Sequence, residues 1–191
     1  MDVDHSKIRG FADRQAFHDW LAEHHADETE LWVRIAKKGA EVRTATMADC
    51  IDVALAWGWI DGLKKGLDET AYLLRFTPRK LQSAWSKRNR DIAENLIAEG
   101  RMQPAGLVHV EAARADGRWD QAYAGQSNFE IPADFLDALA ERPKAKETFD
   151  GLNRANLFAI YYRLHTAKKP ETRTKRFNTL LDMLGRGEKI H

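Results

Sequence analysis

The feature that most constrains the fold is a change in the spacing of apolar residues near Ser83. Before it, apolar and polar side chains alternate in residues 30–39 and again in residues 71–78. Such alternation is typical of half-buried strands. After Ser83 the period lengthens to about 3.6, which is typical of amphipathic helices. We therefore predict an α+β protein with a small antiparallel sheet and helices in the N-terminal half, and a helical C-terminal half.

Helix-start signals support this scheme. Thr46, followed three residues later by Asp49, gives a capping-box pattern that predicts the start of a helix. Gly58 is suited to end the same helix. Later helix starts are predicted at Pro104, Pro132, Pro143, Asn153 and Pro170.

Three parts are predicted along the chain. Residues 1–121 form an α+β core domain, residues 122–132 (AYAGQSNFEIP) a linker, and residues 133–191 a helical module. The first twenty residues contain charges and no continuous apolar run. This predicts neither a secretory signal nor a membrane span, and a cytoplasmic location follows as the expectation. The sequence does not indicate the oligomeric state.

Positive charge is concentrated in two segments, although the formal net charge is only +1. Residues 75–90 (RFTPRKLQSAWSKRNR) carry six arginine and lysine residues and no acid. Residues 163–176 (RLHTAKKPETRTKR) carry six and a single acid, Glu171. The rest of the chain is therefore acidic overall. A protein of this kind can present a local positive field to an anion while staying close to neutral.

The first basic segment predicts an anion site. Its cations lie near the start of a predicted helix, where free N–H groups favour an anion, and arginine can bind phosphate or carboxylate through two hydrogen bonds. The expected first contacts are Arg75, Arg79, Lys87, Arg88 and Asn89, and the expected apolar lining is Trp59 and Trp85. The alternative is a solvated face whose cations are neutralised by acids such as Asp91 or Glu94.

The second basic segment is expected to supply the opposite wall of the same site. Arg173 and Arg176 are three residues apart and can share a helix face, and Thr172 can donate a hydroxyl. The alternative is a corner between two helices, in which Glu171 offsets the neighbouring lysines.

Asp61, in the stretch WGWIDG, is the one candidate for acid–base chemistry. In a strand it would share a face with Trp59, and desolvation by the indole would raise its pKa. The competing interpretation is that Asp61 and Gly62 begin a turn between strands, as Asp-Gly pairs commonly do. We favour the turn and assign no catalytic residue.

Neither a metal nor a cofactor is predicted. His24 and His25 are adjacent, so their side chains diverge, and no carboxylate cluster accompanies them. Cys50 is the only cysteine and lies among apolar neighbours, which indicates a core residue. The glycine-rich nucleotide motifs and the serine-hydrolase motif are absent from the sequence.

An ordered set of motifs resembles the YdeI/OmpD-associated family, also labelled bacteriocin-protection proteins. The motifs are ALAWGWIDG, RFTPRKLQSAWSKRNR, LIAEGRMQPAGLVHVEAARADGRW and AKKPETRTKR, and the resemblance runs from about Phe11 to the C-terminus. It implies a small bacterial cytosolic protein without an established reaction. It also implies a link to resistance against peptides or envelope stress, and a C-terminal module of the family type.

Three functions are compatible with these features. The leading hypothesis is a protein that binds an anionic small molecule or an acidic peptide and is not primarily an enzyme. The second is nucleic-acid binding, ranked lower because no RNA- or DNA-binding motif is present. The third is an enzyme that uses Asp61 as acid or base beside an arginine clamp.

Overall fold

The computed structural model describes residues 3–191, which fall into two compact units. The first unit contains the chain up to Ser83 together with Asn89–Asp120. The second contains Ala84–Arg88 together with Gln121–His191. The α+β class is confirmed. The predicted division into a core domain, a linker and a C-terminal module stays a prediction.

The first unit combines a sheet with helices. After a short 3-10 turn, its elements are β1 (Ile8–Gly10), α1 (Arg14–His24), β2 (Leu31–Ala36), α2 (Met47–Ala56), β3 (Trp59–Gly66), β4 (Ala71–Pro78), α3 (Lys87–Ala98) and α4 (Pro104–Ala115). The first two residues of α3 are counted with the second unit. The strand order in the sheet is β1-β2-β4-β3.

The sheet is mixed, so the prediction of a purely antiparallel sheet is wrong. β2 pairs with β4 and β4 with β3 in antiparallel fashion, whereas β1 runs parallel to β2, with Ile8 opposite Trp32. The reason is that α1 lies between β1 and β2 and carries the chain back to the starting edge, as parallel neighbours require.

The capping box at the start of α2 is confirmed. The Asp49 backbone N–H donates to Thr46 Oγ1 at 3.2 Å, and Asp49 Oδ2 accepts from the Thr46 backbone N–H at 3.0 Å. Gly58 follows the helix with a φ of 75°, a left-handed conformation that favours glycine. A Cβ at Gly58 would also lie 2.8 Å from the carbonyl oxygen of Ala105 in α4. Glycine is therefore required here for two reasons.

The core of the first unit lies between the sheet and its helices. Fully buried side chains include Phe17, Leu21, Trp32, Ile35, Ile51, Trp59, Leu73, Phe76 and Leu96. Cys50 is buried among them, as predicted, and burial raises the pKa of its thiol to about 12. The thiol is therefore protonated at neutral pH and unsuited to nucleophilic chemistry.

The second unit is helical. It contains α5 (Ala133–Ala140), α6 (Pro143–Asp150), α7 (Arg154–His165) and α8 (Pro170–Gly185), and its core is formed by Phe135, Leu139, Ala145, Leu152, Ile160, Leu164, Leu180, Leu181 and Leu184. Asn153 caps α7 and Pro170 opens α8, as predicted. The Tyr123 backbone N–H donates to the Trp85 carbonyl at 2.9 Å, and the Lys87 N–H donates to the Tyr123 carbonyl at 2.8 Å.

Candidate functional site

A groove between α7 and α8 concentrates positive charge in the second unit. It encloses about 420 Å³ and is lined by Arg163 of α7 and by Thr172, Lys175, Arg176, Thr179 and Leu180 of α8. Three of these side chains are cationic, two carry hydroxyl groups and none is acidic. We call this feature the basic groove.

Helical spacing explains why α8 contributes so many of the lining residues. Thr172, Arg176 and Thr179 are separated by four and three residues, which places them on one face of a helix. Lys175 lies beside them, and Leu180 is buried below. The sequence of α8 therefore builds one side of the basic groove without contributions from elsewhere.

Arg176 is held in place by groups that leave its charge uncompensated. Its Nη1 donates to the carbonyl oxygen of Arg163 at 2.8 Å and lies 3.5 Å from Thr166 Oγ1. The Arg163 carbonyl belongs to the last turn of α7, where carbonyl groups lack intrahelical partners. Among residues 3–191, Arg163, Lys175 and Arg176 form no ion pair with a carboxylate. The basic groove is therefore a positively charged surface with free donors.

Arg173, which was expected beside Arg176, lies outside the basic groove. Its Nη1 is 2.7 Å from Asp134 Oδ2, and its Nη2 donates to Asp134 Oδ1 at 3.0 Å. Hydrogen bonding within this pair lowers the pKa of Asp134 and raises that of Arg173. Arg173 is therefore already neutralised, and it ties α8 to α5.

Arg75 is neutralised in a similar way in the first unit. Its Nη2 donates to Glu30 Oε2 at 2.6 Å, and Trp32 Nε1 donates to the other carboxylate oxygen of Glu30 at 2.6 Å. The hydrogen bond from Arg75 is the largest cause of the lowered pKa of Glu30. Arg75 therefore binds a carboxylate from its own chain, which matches the alternative of local neutralisation.

The remaining residues of the first basic segment lie in different environments. Arg79 is buried, with 5% of its surface exposed, and its backbone N–H donates to the Gly58 carbonyl. Lys87 and Arg88 are exposed, and Asn89 is half-buried. Arg90 pairs with Asp91 at 3.2 Å, as the neutralised alternative expected. Convergence of the two basic segments on one site stays a prediction.

The two tryptophans expected to line the site are core residues. Trp59 is 1% exposed, and its Nε1 donates to the His25 carbonyl at 3.2 Å. Trp85 is 2% exposed. Both rings are almost wholly buried in this structure, and their expected role as a ligand-facing lining stays a prediction. Both rings lie in the protein interior, where large apolar side chains are usually found.

Asp61 and Gly62 lie within β3, so the interpretation that they begin a turn is wrong. The hairpin turn falls between Gly66 and Ala71 instead, and the pairing of β3 with β4 is irregular between Asp61 and Lys64. Asp61 is half-buried, and its carboxylate makes no hydrogen bond or ion pair with any of the described residues. The described contacts of the Asp61 side chain therefore do not support an arginine clamp around it.

Sequence reasoning missed Arg163, Lys175 and Thr179 as lining residues. The sequence contained a partial signal for each of them. Arg163 and Lys175 belong to the second basic segment, and Thr179 continues the helix face that contains Thr172 and Arg176. A helical projection of α8 would have found Lys175 and Thr179. Arg163 needed the packing of α7 against α8.

Two family models match the chain. One, described as a domain of unknown function (DUF8412), matches residues 9–109. The other, described as bacteriocin-protection, YdeI or OmpD-associated, matches residues 128–187, so the resemblance to that family is confirmed over this C-terminal part. Comparison with curated proteins and with solved structures gives no match. No helix among residues 3–191 combines the length and the apolar character needed to cross a membrane.

Proposed function

This chain belongs to the family described as a domain of unknown function (DUF8412) and ends in a YdeI/OmpD-associated region, and from that premise we propose that it is a binding protein for an anionic small molecule. The proposal rests on the basic groove of the second unit. The observation that carries it is the meeting of three cations without a carboxylate partner in one concave surface.

The side chains of the basic groove are suited to phosphate. Arg163 and Arg176 each offer a planar fork of N–H donors, and Lys175 offers a compact point charge. Thr172 can add a hydroxyl donor at the edge. Because Arg176 is already oriented by the Arg163 carbonyl, part of the cost of ordering this side chain on binding is met before the ligand arrives. The ligand class that we propose is a small phosphate-bearing anion.

The charge of the groove also bears on the bacteriocin-protection description of the matching C-terminal family. Cationic peptides would be repelled by the basic groove. If the protein contributes to resistance against such peptides or against envelope stress, we propose that it acts indirectly, through the anion that it binds.

Binding of pyrophosphate to the purified protein, measured by isothermal titration calorimetry, tests the proposal. We expect saturable binding with one site, and Lys175→Gln should weaken it by about tenfold or more, since a hydrogen bond to a charged group contributes about 1.5–3 kcal/mol. Lys144→Gln is the matched control, because Lys144 is an exposed lysine of the same unit outside the basic groove.

Two results would contradict the proposal. One is the absence of any heat of binding or thermal shift with pyrophosphate. The other is an equal loss of affinity in Lys175→Gln and Lys144→Gln, which would show that the anion responds to overall charge and not to the groove.

A further inference from the structure

A second recess lies in the first unit, far in sequence from the basic groove. It encloses about 280 Å³ where α1, α2 and the turn between α3 and α4 meet. Its polar lining comes from Arg14 and His18 of α1 and from Arg101 and Gln103 of the turn, and its apolar lining includes Val53 and Leu96. We call this feature the α1–α4 recess.

The polar groups of the α1–α4 recess have unused hydrogen-bonding capacity. Arg14 donates no hydrogen bond among residues 3–191, and its ion pair with Asp52 is long, at 3.9 Å. His18 Nδ1 lies 3.5 Å from Asp19 Oδ1, and its ring meets Trp57 edge-on at 5.4 Å between ring centroids. Among residues 3–191 its Nε2 has no hydrogen-bond partner. Two side chains that can donate to an anion therefore lie on one helix, four residues apart.

Arg101 adds a third donor from the opposite side of the recess. Its Nε and Nη2 are engaged by Glu99, whereas its Nη1 is buried and has no hydrogen-bond partner. A buried donor without a partner is unfavourable, because the group has lost its hydrogen bonds to water without replacing them. Gln103 donates from Nε2 to the Arg101 carbonyl at 3.2 Å and so supports the backbone of this turn. A small shift of the guanidinium toward a bound anion would give Nη1 a partner.

The apolar part of the lining distinguishes this recess from the basic groove. Val53 and Leu96 border the recess as the floor of its apolar side, although only 2% and 1% of their surfaces are exposed. The volume lies just below the range of about 300–1,000 Å³ that is usual for drug-sized ligands. A ligand of matching chemistry is small, has an apolar body and carries one negative group.

We propose that the α1–α4 recess is a binding site for a small carboxylic acid with an apolar body. The carboxylate lies between Arg14 and Arg101, with His18 Nε2 as an additional donor, and the apolar body contacts Val53 and Leu96. This site is independent of the basic groove, and neither requires the other to be occupied.

Titration with benzoate, followed by NMR of the His18 ring signals, tests this site. We expect saturable shifts of the His18 signals with benzoate, at least tenfold weaker binding of the neutral analogue benzamide, and weaker binding of inorganic phosphate, which lacks an apolar body. Arg14→Gln should weaken benzoate binding at least tenfold. Arg43→Gln should leave it unchanged, because Arg43 is exposed, does not line the recess and forms no hydrogen bond or ion pair within the described residues.

Several outcomes would overturn the proposal: no shift of His18 with benzoate, equal affinity for benzoate and benzamide, or phosphate binding as tightly as benzoate. Equal losses in Arg14→Gln and Arg43→Gln would do the same. Arg101→Gln is a second variant on the other side of the recess, and the comparison of benzoate with benzamide on the unaltered protein decides the matter even if a variant does not fold. If benzoate does not bind, the prediction that pyrophosphate binds at the basic groove is unaffected.

Discussion

Single side chains of the first unit show how burial and charge control protonation. His109 of α4 is half-buried, and its Nδ1 has no hydrogen-bond partner among residues 3–191. Burial is the largest cause of its lowered pKa, followed by the charges of Arg79 and Arg118. Arg118 is itself held by Asp116, at 2.7 Å from its Nε. His109 is therefore neutral at neutral pH.

The lowered pKa of His109 predicts a loss of stability in mild acid. The unfolded chain binds a proton near the ordinary pKa of about 6.5, whereas the folded chain binds it only at lower pH. The stabilisation is thus complete above pH ~6.5 and is lost as the pH falls through the folded-state pKa. We expect the free energy of unfolding, measured by urea denaturation, to fall as the pH is lowered below ~6.5, and His109→Gln to flatten this fall.

His5→Gln is the control for this experiment, because His5 is exposed. It should leave the pH dependence as it is in the unaltered protein. A dependence that persists in full after His109→Gln would show that other groups cause it.

Whole helices and strands illustrate which parts of the fold are encoded locally. α2 is the clearest case, since its start is fixed by the reciprocal bonds of Thr46 and Asp49 and its end by the left-handed Gly58. The hydrogen bonds with Thr46 also lower the pKa of Asp49. Helix ends of this kind need no information from the rest of the chain.

Thr46→Ala is expected to destabilise the first unit by about 0.5–2 kcal/mol, because it removes the N-cap acceptor of α2. Urea denaturation followed by far-UV circular dichroism would measure this. Thr174→Ala is a matched control, since Thr174 is an exposed residue of α8 whose side chain forms no hydrogen bond within the described residues. Equal midpoints for the two variants would show that the cap does not stabilise the helix.

Local patterns predicted β2, α2, β4 and the starts of α7 and α8, but they did not predict β1. This strand has three residues and no alternation, so only its pairing with β2 defines it. The same limit applies to the sites. Arg75 is neutralised by Glu30, 45 residues away, and the basic groove needs Arg163 from a different helix. Such pairings depend on tertiary packing and leave no periodic signal in the sequence.

At the scale of the molecule, much of the positive charge is already used in pairs. Arginines paired with acids include Arg14, Arg34, Arg75, Arg90, Arg101, Arg118, Arg142, Arg173 and Arg186. The two basic segments are thus less positive in the folded protein than their composition suggests. The unpaired cations of the basic groove differ from this general pattern.

This distribution predicts a shallow salt dependence for any binding to a nucleic acid. Three cations of the basic groove can neutralise about three phosphates, so the slope of log K against log salt for a single strand should be no steeper than about −2, from roughly −0.7 per phosphate. Fluorescence anisotropy with a labelled thymidine oligonucleotide at several salt concentrations measures it. A slope near −5 would require a much larger phosphate-binding surface and would favour the nucleic-acid hypothesis.

The hydrogen bonds between Tyr123 and the segment around Trp85 have a consequence for how this protein is made on the ribosome. Trp85 is synthesised well before Tyr123, and N-terminal parts of a chain generally begin to fold first. The backbone groups of Trp85 and Lys87 therefore have to wait for Tyr123 until the later polypeptide emerges. A gene interrupted after the codon for Asp120 would leave these groups permanently without that partner, because the second unit is built from two separate stretches of the chain.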